Sequence, residues 1–298
     1  MSKYTQVYEM LLIGDSGNIK RNQKDEIIAL MEAHLSKDEH SAVVFLGDNI
    51  YPKGLPPEGT ELRSDAEKVL HIYQESLKAY PGEVIFISGN HDWNKGRSDG
   101  IEYVLRQEKY LNKLFPEKFQ YVPPAGCPGP FLTLDHENFC LIAINTQWWV
   151  QSGFRPIGKQ NGCSVETEEQ FFKELAELMH KNRHKRIVVM GHYPLYSYSV
   201  HGGKYKLKHH LFPFTIYKKR ALFPVAVFGS LLPLYRKYFG AREDLSHPRF
   251  RRLRSRLKEM FVKYPGMIYL AGHEHNLQYI DRKHVHYFVS GAASKSTY

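Results

Sequence analysis

Cysteine is scarce in this chain: there are three in 298 residues, Cys127, Cys140 and Cys163. They show no Cys-x-x-Cys spacing and no paired framework, so neither a disulfide scaffold nor a zinc ribbon is expected. Cys140 lies in an apolar, strand-like run and reads as a core residue, and Cys163 has no context that marks it out. Long hydrophobic runs are missing too. No apolar stretch reaches the length of a membrane span, although a hydrophobic content of 42% is ample for a packed core. Met1 to Gln6 is polar and strand-like sequence follows at once, so a signal peptide is not expected and the chain reads as soluble. Internal repeats and low-complexity stretches are also lacking.

Acidic residues are scarce in one region only. Between His201 and Met260 there are fifteen Lys and Arg against Glu243, Asp244 and Glu259, a local net charge of +12. The whole chain carries +10, so the remainder is close to neutral. The basicity belongs to one segment.

The first half alternates short apolar runs with helical patterns. Val7 to Ile13, Ala42 to Leu46 and Val84 to Ile87 read as buried strands. Helices are expected over Asn22 to Leu35, Leu62 to Ala79 and Ile101 to Leu114. Continuous apolar strands separated by helices imply a parallel sheet covered on both faces. In such sheets ligands bind where loops leave the C-terminal strand ends. In the second half Phe131 to Leu134 and Phe139 to Ile144 form a hairpin candidate. Thr167 with Gln170 reads as a capping box, Ile187 to Met190 as a strand, and three further strands run from Met267 to Val289. The length suits one large domain or two small ones. The order of elements suits α/β architecture, two mixed sheets between outer helices, and a single unit over residues 1–298.

Five short blocks follow apolar runs: Gly14-Asp15-Ser16-Gly17, Gly47-Asp48-Asn49-Ile50-Tyr51, Gly89-Asn90-His91-Asp92, Gly191-His192-Tyr193-Pro194 and Gly272-His273-Glu274-His275. Singly each is an ordinary turn. In this order they supply the residue types of one two-metal site. Phosphate ester hydrolysis at neutral pH needs a nucleophile stronger than water and a clamp for the phosphoryl oxygens, and two cations about 3.5–4 Å apart provide both. Asp48 is the candidate bridging carboxylate. Oxygen ligands (Asp15, Tyr51, Asn90) mixed with imidazoles (His192, His273, His275) suit iron, zinc or manganese better than calcium or magnesium. Read as alternate residues of a strand, His273 and His275 would point to one face.

At these motifs, from Gly14 to about Gly291, the chain resembles the calcineurin-like metallophosphoesterase superfamily, and within it the purple acid phosphatases. The resemblance implies a four-layer α-β-β-α sandwich. Its subfamily cue is Tyr51, three residues after Asp48, where those enzymes bind a ferric ion. Many other members carry a histidine where this chain has Gly17. The implied ligand sets are Asp15, Asp48, Tyr51 and His275 for one metal, and Asp48, Asn90, His192 and His273 for the other, with iron paired with iron, zinc or manganese. The resemblance also implies two phosphate-facing histidines, His91 and His201, and Asp92 could orient His91. On that reading a metal-bound hydroxide attacks phosphorus in line, and the two histidines neutralise charge and protonate the leaving oxygen. The Gly-Asp-x-Val-Asp-Arg-Gly block of the serine/threonine phosphatases is absent from Gly47 to Gly54. The remaining histidines lack such context, and Trp148 and Trp149 read as core.

The implied activity is phosphate monoester hydrolysis, with small phosphorylated molecules or phosphoproteins as substrates. A phosphodiesterase or nucleotide pyrophosphohydrolase would use the same metals. The non-enzyme alternative is a metal-stabilised binding domain. It would act through a basic, apolar insert at about 202–260, longer than the corresponding stretch of small purple acid phosphatases. In that insert Phe250, Leu253, Leu257 and Phe261 recur at helical spacing, so one face should dock on the body with the arginines outward. Cations flanking apolar residues over 204–256 fit an anionic membrane surface, or steer phosphorylated substrates. No nucleic-acid motif accompanies the charge. The chain also resembles bacterial phosphoesterase domains fused to an outer-membrane barrel, and its Ser/Lys tail reads as a connector. Together these imply an excised domain of a longer, extracytoplasmic protein.

Overall fold

The computed structural model describes residues 7–19, 26–117, 119–216, 220–225 and 228–294. The start of the first expected helix, Lys218, Lys219 and the end of the Ser/Lys tail lie outside these residues.

The first sheet is built from β1 (Glu9–Ile13), β2 (Ser41–Phe45), β3 (Glu83–Phe86) and β4 (Phe119–Tyr121), in that order and parallel throughout. Its crossovers are α1 (Glu26–Ala33), α2 (Arg63–Leu77) and α3 (Gly100–Leu114). The chain then forms β5 (Phe131–Asp135) and β6 (Phe139–Ala143), the short α4 (Thr146–Val150), α5 (Glu168–Lys181) and β7 (Arg186–Met190). After α6 (Leu207–Leu211), α7 (Leu231–Tyr238) and α8 (Pro248–Phe261), it closes with β8 (Ile268–Ala271), β9 (Leu277–Arg282) and β10 (Val285–Ser290). The second sheet runs β5-β6-β7-β8-β10-β9 and is mixed, with β5 and β9 antiparallel at its edges. Mixing is therefore confined to the second of the two sheets.

Alternation along the strands explains why the sheets stack. Val44, Leu46, Ile85 and Ile87 meet Leu141, Ala143, Val188 and Met190 in the apolar layer between the sheets. The opposite phase of the same strands, Val43, Phe45, Val84 and Phe86 on one side and Ile142, Ile187 and Val189 on the other, packs in the clusters that hold the outer helices. Strands buried on both faces have no polar phase, which is why they read as continuous apolar runs. Helix α5 begins at Thr167, whose side chain accepts from Gln170 N at 3.1 Å. The return bond of the capping box reaches Glu166 N (2.8 Å).

Helix α8 docks as its spacing predicts, with Phe250, Leu253, Leu257 and Phe261 fully buried. Its arginines are not all turned out. Arg249 donates to the Gln151 carbonyl and Arg256 pairs with Glu169, so part of the helix's charge is used against the body.

One expectation fails outright. Cys127 and Cys163 form a disulfide, with Cα atoms 5.5 Å apart. The partners lie 36 residues apart. They meet because two 3-10 turns, Pro124–Gly126 and Lys159–Asn161, each end beside one of them. Spacing along the chain carries no trace of that approach. Cys140 is free and buried, as expected. Among the described residues no helix is long and apolar enough to cross a membrane.

Candidate metal centre

The loops that leave β1, β2 and β3 carry Asp15, Asp48 and Asn90, and those that leave β7 and β8 carry His192 and His273. Backbone bonds continue each ladder past the strand end: Leu46 N to Ile13 O, Asp15 N to Gly47 O, Gly191 N to Leu270 O and Gly272 N to His192 O. The two sheets thus deliver their ligand types to one edge. Asp15, Asp48 and His273 have φ of 59°, 56° and 71°. Left-handed backbone at a residue with a side chain costs on the order of 1 kcal/mol, and such strain persists mostly at functional sites. Gly47, at φ 90°, makes the turn before Asp48; a Cβ there would strike the His192 ring and Gly89.

Two groups of donor atoms result. In the first, Tyr51 Oη lies 3.0 Å from Asp48 Oδ2, 3.2 Å from Asp15 Oδ1 and 3.2 Å from His275 Nε2. His275 Nε2 is 3.6 Å from Asp15 Oδ1. In the second, Asn90 Oδ1 lies 3.0 Å from His192 Nε2 and 3.1 Å from His273 Nδ1, and the two ring nitrogens are 3.3 Å apart. His192 Nε2 is 3.5 Å from Asp48 Oδ1. Among the described residues Asp48 reaches both groups, one oxygen to each.

Tautomers decide what the second group can hold. His192 Nδ1 is 2.8 Å from the Leu46 carbonyl, and His273 Nε2 is 2.8 Å from the Glu243 carbonyl. A carbonyl only accepts, so each of those nitrogens carries the ring hydrogen. The nitrogens that face Asn90 Oδ1 therefore present lone pairs. Burial keeps both imidazoles neutral by lowering their pKa values, that of His273 strongly. Three acceptors converge with no hydrogen among them, and a carboxylate oxygen adjoins them. Such a set fits a cation and little else, and a main-chain carbonyl behind each imidazole is the usual support for a metal-binding histidine. Asp15, Asp48 and His192 also stand out as one cluster, their ligand atoms all within 4.8 Å of one another. Burial, then the Asp48 charge, pushes the Asp15 carboxyl well up, and burial with both carboxylates does the same to Tyr51. For Asp48 burial acts upward too, but the charge of a protonated His91 and the bond from the His91 backbone N–H act downward, and its pKa lies below the ordinary value.

The structure therefore brings together all seven expected ligand residues. His273 and His275 arrive by a different route from the one expected. Strand β8 ends at Ala271, and the positive φ of His273 places both rings from a turn, because a strand's alternation does not extend into the loop. Gly17 N bonds the Asp48 carbonyl and Tyr51 N bonds the Gly17 carbonyl. A Cβ at Gly17 would collide with the Asn49 and Ile50 backbone, so no histidine fits there with the loops so placed.

His91 donates from Nδ1 to the Pro52 carbonyl (2.7 Å), and its Nε2 lies 3.8 Å from Asp48 Oδ2. The orienting group is thus Pro52. Asp92 is turned away to accept from Gly89 N (2.8 Å) and from Asn49 N and Nδ2 (both 3.1 Å). Asp92 braces the loops that carry Asp48 and Asn90, and the expectation that it orients His91 is corrected. Its pKa is raised to about 7 by burial and the Asp48 charge.

His201 packs against His273, ring centroids 4.5 Å apart and planes tilted by 45°, with Nδ1 3.2 Å from Asp244 Oδ1. Arg236 on α7 clamps Asp244, its Nε donating to Oδ2 at 2.9 Å and its Nη2 to Oδ1. Glu274 accepts from Ser197 Oγ (2.5 Å) and Gly202 N (3.2 Å), holding the loop of His201. Sequence reasoning passed over Asp244, Arg236 and Glu274. Only Glu274 left a signal there, a carboxylate between two ligand histidines. A cleft of about 470 Å³ opens beside His275, lined in part by Lys204, Lys206, His209 and Asn276. A larger hollow, about 820 Å³, runs between α1 and α2 and meets the centre at Gly17, Tyr51 and Pro52.

Two stacked sheets with acid, amide and imidazole donors gathered at one edge define a metallophosphoesterase domain. The chain belongs to the calcineurin-like phosphoesterase family, whose sequence profile matches residues 9–277. Seventeen solved chains match its fold. One, GAP50, the anchor in the inner membrane complex of Plasmodium, aligns with a TM-score of 0.50 at 13% identity, covering 97% of this chain and 74% of that one. No curated protein is similar enough in sequence to count as a match.

Proposed function

We propose that this chain is a dinuclear-metal phosphoesterase that hydrolyses phosphate monoesters in the manner of purple acid phosphatases. The observation that carries the reading is Tyr51 Oη between Asp15 Oδ1, Asp48 Oδ2 and His275 Nε2, opposite the lone-pair triad of Asn90, His192 and His273. One ion, held by Asp15, Asp48, Tyr51 and His275, would sit beside a second held by Asp48, Asn90, His192 and His273. Bound metals supply a nucleophile active at neutral pH and a clamp for phosphoryl oxygens. A phenol among the ligands favours ferric iron at the first position, with iron, zinc or manganese at the second.

The protein's own groups do the rest. The Pro52 carbonyl fixes His91 so that Nε2 faces the centre, where a proton on that atom passes to the leaving oxygen. Asp244 fixes the Nδ1 side of His201, which offers a second contact to phosphoryl oxygen. Lys204 and Lys206 give the adjoining cleft the positive lining a phosphorylated substrate needs. The Cys127–Cys163 bond supports an oxidising, extracytoplasmic compartment.

The test is turnover of an aryl phosphate monoester and the matching diester by protein reconstituted with iron, zinc or manganese. Monoester turnover should fall by at least about a hundredfold in Asp48→Asn, in line with removal of a metal-positioned charge. Turnover of the diester alone would move the assignment to a phosphodiesterase. Inactivity towards both esters with metal bound would overturn the catalytic reading.

A further inference from the structure

The stretch that starts at the candidate site and returns to it is built inside out. Eleven of the twenty exposed large apolar side chains among the described residues lie between Leu207 and Phe239. Phe223 is 70% exposed, Phe228 66%, Leu231 61% and Phe239 66%. Between Leu195 and Leu245 only Pro213 and Pro233 are buried among the described aliphatic and aromatic side chains. The stretch is nevertheless folded. His210 Nδ1 lies 3.0 Å from Ser230 Oγ, Val225 N bonds the Leu211 carbonyl, and Tyr235 stacks on Phe239. Its base is pinned by the Leu245 N bond to the His201 carbonyl and by the buried Arg236–Asp244 pair. A concentrated apolar surface on a folded, anchored unit marks a contact surface.

Charge identifies the occupant. From His201 to Arg242 there are nine Lys and Arg and no Asp or Glu. Lys208, Arg220 and Lys237 are exposed among the apolar side chains. Apolar groups ringed by cations match the boundary of an anionic bilayer, where the rings and aliphatic groups enter the acyl region and the cations meet headgroups. A second copy of the chain is disfavoured, because it would oppose two surfaces of the same sign. Helix α8 is not part of this face: its apolar side is buried on the body, and Arg249 and Arg256 are engaged there.

We infer that the described residues between 204 and 239 form a docking face for the surface of an anionic lipid bilayer, the unit lying on the membrane and not crossing it. The face adjoins the centre directly. His201 precedes it, Arg236 within it clamps Asp244, and the Glu243 carbonyl at its end holds His273. Docking would therefore set the candidate centre close to the headgroup layer.

The test is co-sedimentation of the whole chain with vesicles of phosphatidylcholine alone and of equal parts phosphatidylcholine and phosphatidylglycerol, with no phosphoester present. Failure here is thus separate from failure of the catalytic reading. Binding is expected to the anionic vesicles and to be at least about tenfold weaker to the neutral ones. Phe223→Ser/Phe228→Ser/Leu231→Ser should lose binding by at least about tenfold, from the apolar area withdrawn. Lys208→Gln/Arg220→Gln/Lys237→Gln should lose on the order of a hundredfold. Circular dichroism and the unfolding midpoint identify variants that fold as the parent does. Two results would overturn the inference: equal affinity for both vesicle types, or folded variants that bind as the parent does. So would a concentration-dependent dimer, abolished by the apolar triple variant, in a protein that ignores vesicles.

Discussion

Tyr51 shows how much one side chain settles at this centre. Its phenol closes the first donor group, and the position a histidine would need at Gly17 is sealed by the backbone of Asn49 and Ile50. Loss of the phenol therefore has no substitute among the neighbouring loops. When the chain is loaded with ferric iron, a phenolate-to-iron charge-transfer band should appear in the visible spectrum and vanish in Tyr51→Phe, while the second site keeps its metal. An unchanged band in the variant would remove Tyr51 from the ligand set. At this scale the sequence was most legible: an aspartate, asparagine or histidine that follows a glycine at a strand end is a position as well as a residue type. Asp92 was misread for the opposite reason. Adjacency to His91 suggested a contact, yet the next residue of a turn points elsewhere, and its carboxylate reaches back to Gly89 and Asn49.

Among the elements, α3 carries a polar group whose effect on stability has a definite sign. Glu108 accepts from Ala125 N at 3.0 Å beside the turn that leads to Cys127, and burial pushes its pKa up from 4.5 to about 6. The folded state thus binds the proton more tightly than the unfolded chain. That contribution is complete below the unfolded value of 4.5 and is lost as the pH rises through about 6. Glu108→Gln keeps an acceptor and cannot ionise. Between pH 4.5 and 7 the wild type should lose about 1–2 kcal/mol relative to the variant, measured by urea unfolding at both pH values. Parallel stability curves would contradict this. The long elements were legible because their periodicity spans several turns or a whole buried strand. Strand β4, three residues long, and α4, five residues long, were missed because neither completes a pattern.

For the whole molecule the disulfide has the widest reach. It closes a 36-residue separation and restricts the unfolded chain, so its removal acts through the denatured state as much as through any contact. Cys127→Ser/Cys163→Ser should lower stability by about 3–4 kcal/mol, read as a shift of the denaturant midpoint. A thiol reductant should shift the wild type equally and leave the variant where it is. The same scale holds the contrast between a close-packed body and the stretch from Leu207 to Phe239 with its eleven exposed large apolar side chains, a contrast that makes docking to a bilayer a property of the molecule and not of a motif.

The sequence by itself determined the α/β class and marked the five glycine-led blocks that carry the seven residues of the candidate centre, because buried strands and their exits are local patterns; the ligand sets expected of those residues rest on the family resemblance. Tertiary structure alone decided which ring nitrogen carries the hydrogen in His192 and His273, that Pro52 and not Asp92 orients His91, that Arg236 and Asp244 stand behind His201, that Cys127 meets Cys163, and that eleven large apolar side chains between Leu207 and Phe239 are exposed while those of α8 are buried. Each of these depends on atoms brought together from distant parts of the chain, and linear order carries no information about a distance that only packing sets.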